Sequence, residues 1–200
     1  MHHGVESRLP CLKPLLRKWI SVNQRLGREW STTGDAPWWY NERALLSVLA
    51  GAVWLCGDSA FEEYSESKKT RASMSTGRID LWFSAGKQEF GAEAKMCQIP
   101  ITENAGQVNG MRACMEKAKA DVRRCSVHDY PRRLAIVFGA PYLRPCCKDH
   151  LKSRTEWLVT QAMKVPHDGM AWVFPELKEP PEINNWIHPG AIIWIKEVKR

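Results

Sequence analysis

The sequence predicts an α/β (α+β) protein, a central mixed β-sheet flanked by helices, and three observations carry that prediction. Up to residue 56 apolar residues recur at three- and four-residue spacings, from residue 60 the spacing changes to two, and RRLAIVFGAPYL at 132–143 is a continuous apolar run. The first pattern is helical, the second is that of half-buried strands, and the third suits a strand covered on both faces.

Taken in order, residues 12–30 place Leu15, Leu16, Trp19, Val22, Leu26 and Trp30 in one stripe with most Lys and Arg elsewhere, which predicts a basic amphipathic helix. Residues 35–56 predict a second, largely buried helix, with Asp35 as cap, Pro37 in the first turn and Gly57 closing it. Segments 60–69, 77–83 and 89–97 alternate, and a hairpin-sized loop containing Gly86 joins the last two, so a three-stranded meander is expected. Residues 103–125 are helical in composition despite Gly106 and Gly110, 132–143 is placed centrally in the sheet, 147–164 is a helix, and 170–175 and 191–198 are late strands. Residues 1–200 are expected to form one domain: a basic helical extension (1–34), a core (35–143), and a helix with strands completing it (144–200).

Composition narrows the function. No run of about 18 apolar residues and no secretory leader pattern occurs, so a cytoplasmic protein without a membrane partner is expected. The seven cysteines are odd in number and scattered without a CxxC pair, which predicts reduced thiols. Lys and Arg number 29 against 22 Asp and Glu, a net charge of +7 that favours a polyanionic partner, above all nucleic acid.

The stretch GRIDLWFSAGKQEFGAEAKM at 77–96 carries the chemistry. Alternation puts Asp80 on one face of its strand with Arg78 and Trp82, and puts Glu93 and Lys95 together on the next strand. If the two strands pair with polar faces aligned, Asp80 lies across from Glu93 and Lys95, and small Gly91, Ala92 and Ala94 allow close approach. Facing carboxylates repel unless a cation lies between them, and hard oxygen ligands suit Mg²⁺. The Ala94 carbonyl is a further candidate ligand, and Lys95 would orient or deprotonate a water or stabilise transition-state charge.

An Asp on one strand, a loop, Glu-x-Lys on the next, and an acidic residue on a preceding helix resemble the PD-(D/E)xK, or restriction endonuclease-like, nuclease superfamily. The resemblance implies that fold and a Mg²⁺- or Mn²⁺-dependent DNA endonuclease. It implies that Asp80, Glu93, Ala94 and Glu42 of YNERALL hold the metal and that Lys95 serves the water nucleophile. It further implies double-stranded DNA as partner, action as a homodimer or within a larger complex, and a place in a defence or DNA-processing system. The resemblance runs over residues 35–143, with Arg78 and Ile79 where a Pro is nominal. Gln107 is the candidate for a helical Gln near the site, but Met111 stands where the Gln-x-x-x-Tyr form needs Tyr, which argues against that exonuclease branch.

Arg112, Lys117, Arg123 and Arg124 are candidates for phosphate contacts, with Lys119, Arg132 and Arg133 in the same charge cluster. Trp38 and Trp39 are candidates for stacking on bases. The plain alternative for Asp80, Glu93 and Lys95 is a solvated hairpin face with cross-strand ion pairs worth ~0.2–1 kcal/mol. Cys125-x-x-His128 and Cys147-x-x-His150 have spacings zinc would accept, against which buried structural Cys and turn residues are the stronger reading. The alternative function is a non-catalytic nucleic-acid-binding or assembly subunit that retains the nuclease fold.

Overall fold

The structure, a computed structural model, describes residues 2–69, 74–102, 106–125, 132–177 and 179–199. Its elements are β1 (His2–Ser7), α1 (Leu12–Trp30), α2 (Glu42–Trp54), β2 (Ala60–Lys69), β3 (Met74–Ala85) and β4 (Gln88–Pro100). They continue with α3 (Gly106–Val122), β5 (Arg133–Tyr142), a 3-10 turn (Pro145–His150), α4 (Leu151–Ala162), β6 (Gly169–Phe174), β7 (Glu182–Ile183), β8 (Trp186–Ile187) and β9 (Ala191–Glu197). Seven strands make one mixed sheet in the order β1-β6-β9-β5-β4-β3-β2, and β7 and β8 form a separate two-stranded ribbon. Within the large sheet β4 and β5 run parallel and the other neighbours antiparallel.

Residues of β5 alternate between two cores. Leu134, Ile136 and Phe138 join Leu16 and Trp19 of α1 and Leu45 and Leu49 of α2 on one face. Ala135 and Val137 join Met111 and Met115 of α3 and Leu158 of α4 on the other. A strand with helices on both faces has no polar face to present, which is why Arg133–Pro141 is buried throughout and sits fourth of seven in the sheet.

The stripe read from residues 12–30 forms α1 at those bounds, and the meander of β2, β3 and β4 is present. Residues 1–34 are not an extension. Leu12, Leu15, Leu16, Trp19 and Ile20 are core residues of the first face, and β1 pairs along β6 as an outer strand. Nor does α2 begin at residue 35. Asp35 accepts the Ala36 N–H at 2.7 Å and the Tyr40 hydroxyl, and the helix is capped by Asn41, whose side chain accepts the Ala44 N–H at 3.0 Å. The intervening chain is non-helical and carries Trp38 into the core, where its indole N–H donates to the His188 carbonyl at 2.8 Å. Trp38 is thus fully buried and offers no face to a base, while Trp39 is half-buried against the His188 ring, centroids 4.9 Å apart. Among the described residues no helix is long and apolar enough to cross a membrane. Among the described residues no cysteine is in a disulfide.

Candidate active site

The antiparallel ladder between β3 and β4 stops at the pair Leu81–Ala92. Continued by one step it would set Asp80 against Glu93, and there the strands part. On β4 the Gly91 N–H points to the Arg132 carbonyl, toward the β5 side. Alternation therefore turns the amides of Ala94 and Met96 toward the β3 side, where no strand takes them. Two carboxylates do so instead. The Ala94 N–H donates to Asp80 Oδ2 at 2.8 Å and the Met96 N–H donates to Glu42 Oε2 at 2.9 Å. Unpaired buried amides are costly, so side-chain acceptors hold this opening in the sheet.

Alternation breaks at Asp80. Leu81 and Phe83 lie in the core under α1 and α2, whereas Ile79 and Trp82 pack with Cys125 in a small cluster of their own. The aspartate can therefore project along the sheet rather than off one face. Glu42 reaches the same opening because it is the first residue of α2, placed there by the Asn41 cap.

Lys95 lies in the opening. Its ammonium donates to the Ala94 carbonyl at 2.8 Å and pairs with Asp121 Oδ2 of α3 at 2.9 Å. Burial, the largest single effect, pulls the Lys95 pKa down, but the bond to Asp121 and the charges of Glu42, Asp121 and Asp80 together hold it above its ordinary value. Asp121 moves the other way: burial raises it, and Lys95 and Arg124 bring it below the usual carboxylate range. The Glu42 carboxyl is raised, first by burial, with Asp80 and Asp121 adding to it and Lys95 and the Met96 amide opposing. Burial, rather than an excess of negative charge, is what raises Glu42.

Glu93 is buried at 4% exposure, and its Oε1 accepts the Cys125 thiol at 3.4 Å. Arg133 in turn donates to the Cys125 carbonyl at 3.3 Å, which fixes that segment against β5. Asp80, Glu42 and Lys95 thus meet around residues 94–96, with Glu93 directed to the α3 side. Among the described residues no three His, Cys, Asp or Glu side chains are grouped so as to hold a metal ion. The donor types nonetheless fit Mg²⁺ or Mn²⁺, because Asp80, Glu42, Glu93 and the Ala94 carbonyl are all oxygen donors and Mg²⁺ takes only one or two carboxylates with the rest water. That the Lys95 ammonium rests on the Ala94 carbonyl shows this oxygen turned toward a cation.

Asp121 was not foreseen from sequence. An acidic residue in the last turn of a helix opposes the dipole, so its place one residue before the end of α3 is itself a signal of a compensating cation. Gln107, expected near a bound nucleic acid, turns inward: its amide nitrogen donates to Thr102 Oγ1 at 3.0 Å and to the Pro100 carbonyl. Arg112, Lys117, Arg123 and Arg124 are exposed on α3 and the turn after it, with Arg112 donating to the Lys164 carbonyl at 3.0 Å and Arg124 paired to Asp121. Arg132 and Arg133 leave the basic cluster, the first in a two-point pair with Glu197 at 2.7 and 2.8 Å, the second buried. His128 lies outside the described residues, and Cys147 and His150 fall in the 3-10 turn. The chain matches no protein-family model, and no curated protein or solved structure matches it significantly.

Proposed function

We propose that this chain is a Mg²⁺-dependent nuclease of the restriction endonuclease-like type, hydrolysing phosphodiester bonds in DNA at the opening between β3 and β4. One observation carries the reading: Asp80, Glu42 and Lys95 gather on residues 94–96, the segment that also contributes Glu93 and the Ala94 carbonyl. The elements follow the order that the resemblance calls for, a helix opening on an acidic residue (α2), later an Asp strand (β3), a loop and a Glu-x-Lys strand (β4).

Asp80, Glu93, Ala94 and Glu42 would hold the ion, in any combination of one or two carboxylates with the carbonyl. Bound there, the ion supplies charge stabilisation on the phosphoryl oxygen and a more acidic water. Lys95, held as an ammonium above its ordinary pKa, is a cation at neutral pH. Its part is to orient the water and offset charge on the phosphoryl oxygens. The exposed Arg112, Lys117, Arg123 and Arg124 would meet the phosphate backbone with salt-dependent affinity. Action as a homodimer or within a complex belongs to the same proposal, since one such site cuts one strand.

A second reading is favoured by the same hydrogen bonds. Asp80 and Glu42 each already serve a backbone amide and Lys95 already serves Asp121, which is how a purely structural network would look in a nucleic-acid-binding subunit. Lys95→Ala separates the two. A nuclease loses plasmid cleavage in Mg²⁺ or Mn²⁺ while keeping its affinity for DNA; a wild-type chain that never nicks plasmid under either metal contradicts the nuclease reading.

A further inference from the structure

Lys95 shares a face of β4 with Cys97, which packs toward α3, and its ammonium touches two oxygens of different kinds. One is the neutral Ala94 carbonyl at 2.8 Å, the other the Asp121 carboxylate, Oδ2, at 2.9 Å. In a strand the N–H and C=O of one residue point to the same side, so the Ala94 carbonyl faces the opening beside the amide that Asp80 takes.

Asp121 is the firmer of the two side chains. Ala118 and Val122 of its own helix are fully buried, and Arg124 takes Oδ1, which leaves Oδ2 to Lys95. Lys95 carries its ammonium on a flexible four-carbon stem with three donors, so it can turn about Asp121 without leaving it. A divalent ion on the Ala94 carbonyl would force such a turn. Mg²⁺ binds oxygen at about 2.0–2.1 Å, so the ion and the ammonium sharing that oxygen would stand within about 5 Å of each other and repel.

We propose that Lys95 and a divalent ion compete for the Ala94 carbonyl, and that Asp121 is the positioning residue that keeps the ammonium when the ion takes that oxygen. This rests on the nuclease reading and adds to it how the site exchanges one cation for another. Held on Asp121, Lys95 stays charged and within reach of the water and the phosphoryl oxygens that the nuclease reading gives it. Without Asp121 the ammonium falls back on the oxygens a metal needs, the Ala94 carbonyl and the carboxylates of Glu42 and Asp80, whose charges already attract it. An ion pair that served only to tie α3 to β4 would create no such link between Asp121 and metal affinity.

The test reads Mn²⁺ affinity from the electron paramagnetic resonance signal of the free ion, without nucleic acid, so that cleavage plays no part. Asp121→Asn weakens Mn²⁺ binding by about tenfold, and Lys95→Met, which removes the competitor, tightens it. In the Lys95→Met background Asp121→Asn changes the affinity by less than about twofold, because Asp121 acts through Lys95 alone. Asp121→Glu keeps an acceptor for the ammonium and stays within about threefold of wild type. An unchanged affinity in Asp121→Asn, or the same loss with and without Lys95, overturns the proposal, and the second outcome assigns the effect to charge acting through space. If the wild type in that case binds Mn²⁺ and nicks plasmid, the nuclease reading stands. A wild type that binds no Mn²⁺ overturns both. Asn keeps the size of Asp121, whose side chain is 22% exposed, and should thermal melts show that variant unfolded, Asp121→Ser repeats the cycle.

Discussion

Asp80 accepts the Ala94 amide at 2.8 Å, at the point where β3 ceases to pair with β4. A side chain has taken the place of a neighbouring strand, and Glu42 repeats the device two residues along, on Met96. The carboxylates that keep the sheet open thus also line the opening. On the proposed function, structural and chemical roles would fall on the same atoms, and substitutions can pull them apart.

Asp80→Asn keeps an oxygen that can accept the Ala94 N–H, whereas Asp80→Ala leaves that amide without its partner. Denaturant unfolding should show Asp80→Ala less stable by about 1–3 kcal/mol and Asp80→Asn within about 1 kcal/mol of wild type. Equal losses in the two variants would mean that this hydrogen bond does not hold the strands apart.

Lys95 and Asp121 are coupled at 2.9 Å. Burial raises the Asp121 carboxyl, and Lys95 and Arg124 together more than reverse this, so the folded pKa lies below its ordinary value. A depressed carboxylate contributes stability above its unfolded pKa, and that contribution is lost as pH falls through the folded value. Carbon-13 NMR titration of Asp121 in Lys95→Met should show its pKa raised relative to wild type. An unchanged titration would contradict the pairing.

His188 is buried at 3% exposure, neither ring nitrogen has a hydrogen-bond partner among the described residues, and burial lowers its pKa to about 4. The unfolded chain takes up the proton first, so stability falls as pH drops below about 6.5 and levels off near pH 4, by roughly 3 kcal/mol in all. Chemical denaturation between pH 7 and 4.5 measures the slope. His188→Leu should flatten it, and an equal slope in that variant would assign the effect to other groups.

Two glycines give opposite outcomes. A Cβ at Gly190 would stand 2.1 Å from the Val173 carbonyl oxygen, a backbone atom that cannot step aside, so Gly190→Ala should cost more than about 2 kcal/mol. A Cβ at Gly51, inside α2, meets nothing within 4 Å, so Gly51→Ala should gain about 0.5–1 kcal/mol from helix propensity. Thermal melts of the pair check both signs.

Much of this fold was legible where a periodic face meets a core. The stripe from Leu15 to Trp30 appears as α1, and the unbroken apolar run became β5, covered on both faces. The meander and the approach of Asp80 to the strand of Glu93 and Lys95 followed from alternation and turn spacing, whereas Glu42 entered only through the family resemblance. What escaped depends on distant partners. HHGVES has no apolar alternation and becomes β1 only through β6, where Gly4 lies beneath the Trp172 ring, a Cβ there falling 2.3 Å from it. Asp35 read as a helix cap because nothing local reveals that Trp38 must reach the carbonyl of His188, 150 residues away. Gln107 read as a residue near the site because its partners, Thr102 and the Pro100 carbonyl, lie on a turn of the chain that spacing does not show. Asp121 left a trace in its place at a helix C-terminus, but the cation answering it stands on another element.

The most direct test of the central claim is nicking of supercoiled plasmid by wild type and Asp80→Asn, in Mg²⁺, in Mn²⁺ and in chelator. Metal-dependent nicking by wild type, abolished in chelator and in a folded Asp80→Asn, is the predicted result. A wild-type chain inert under every condition, or an Asp80→Asn chain that nicks as well as wild type, would contradict it.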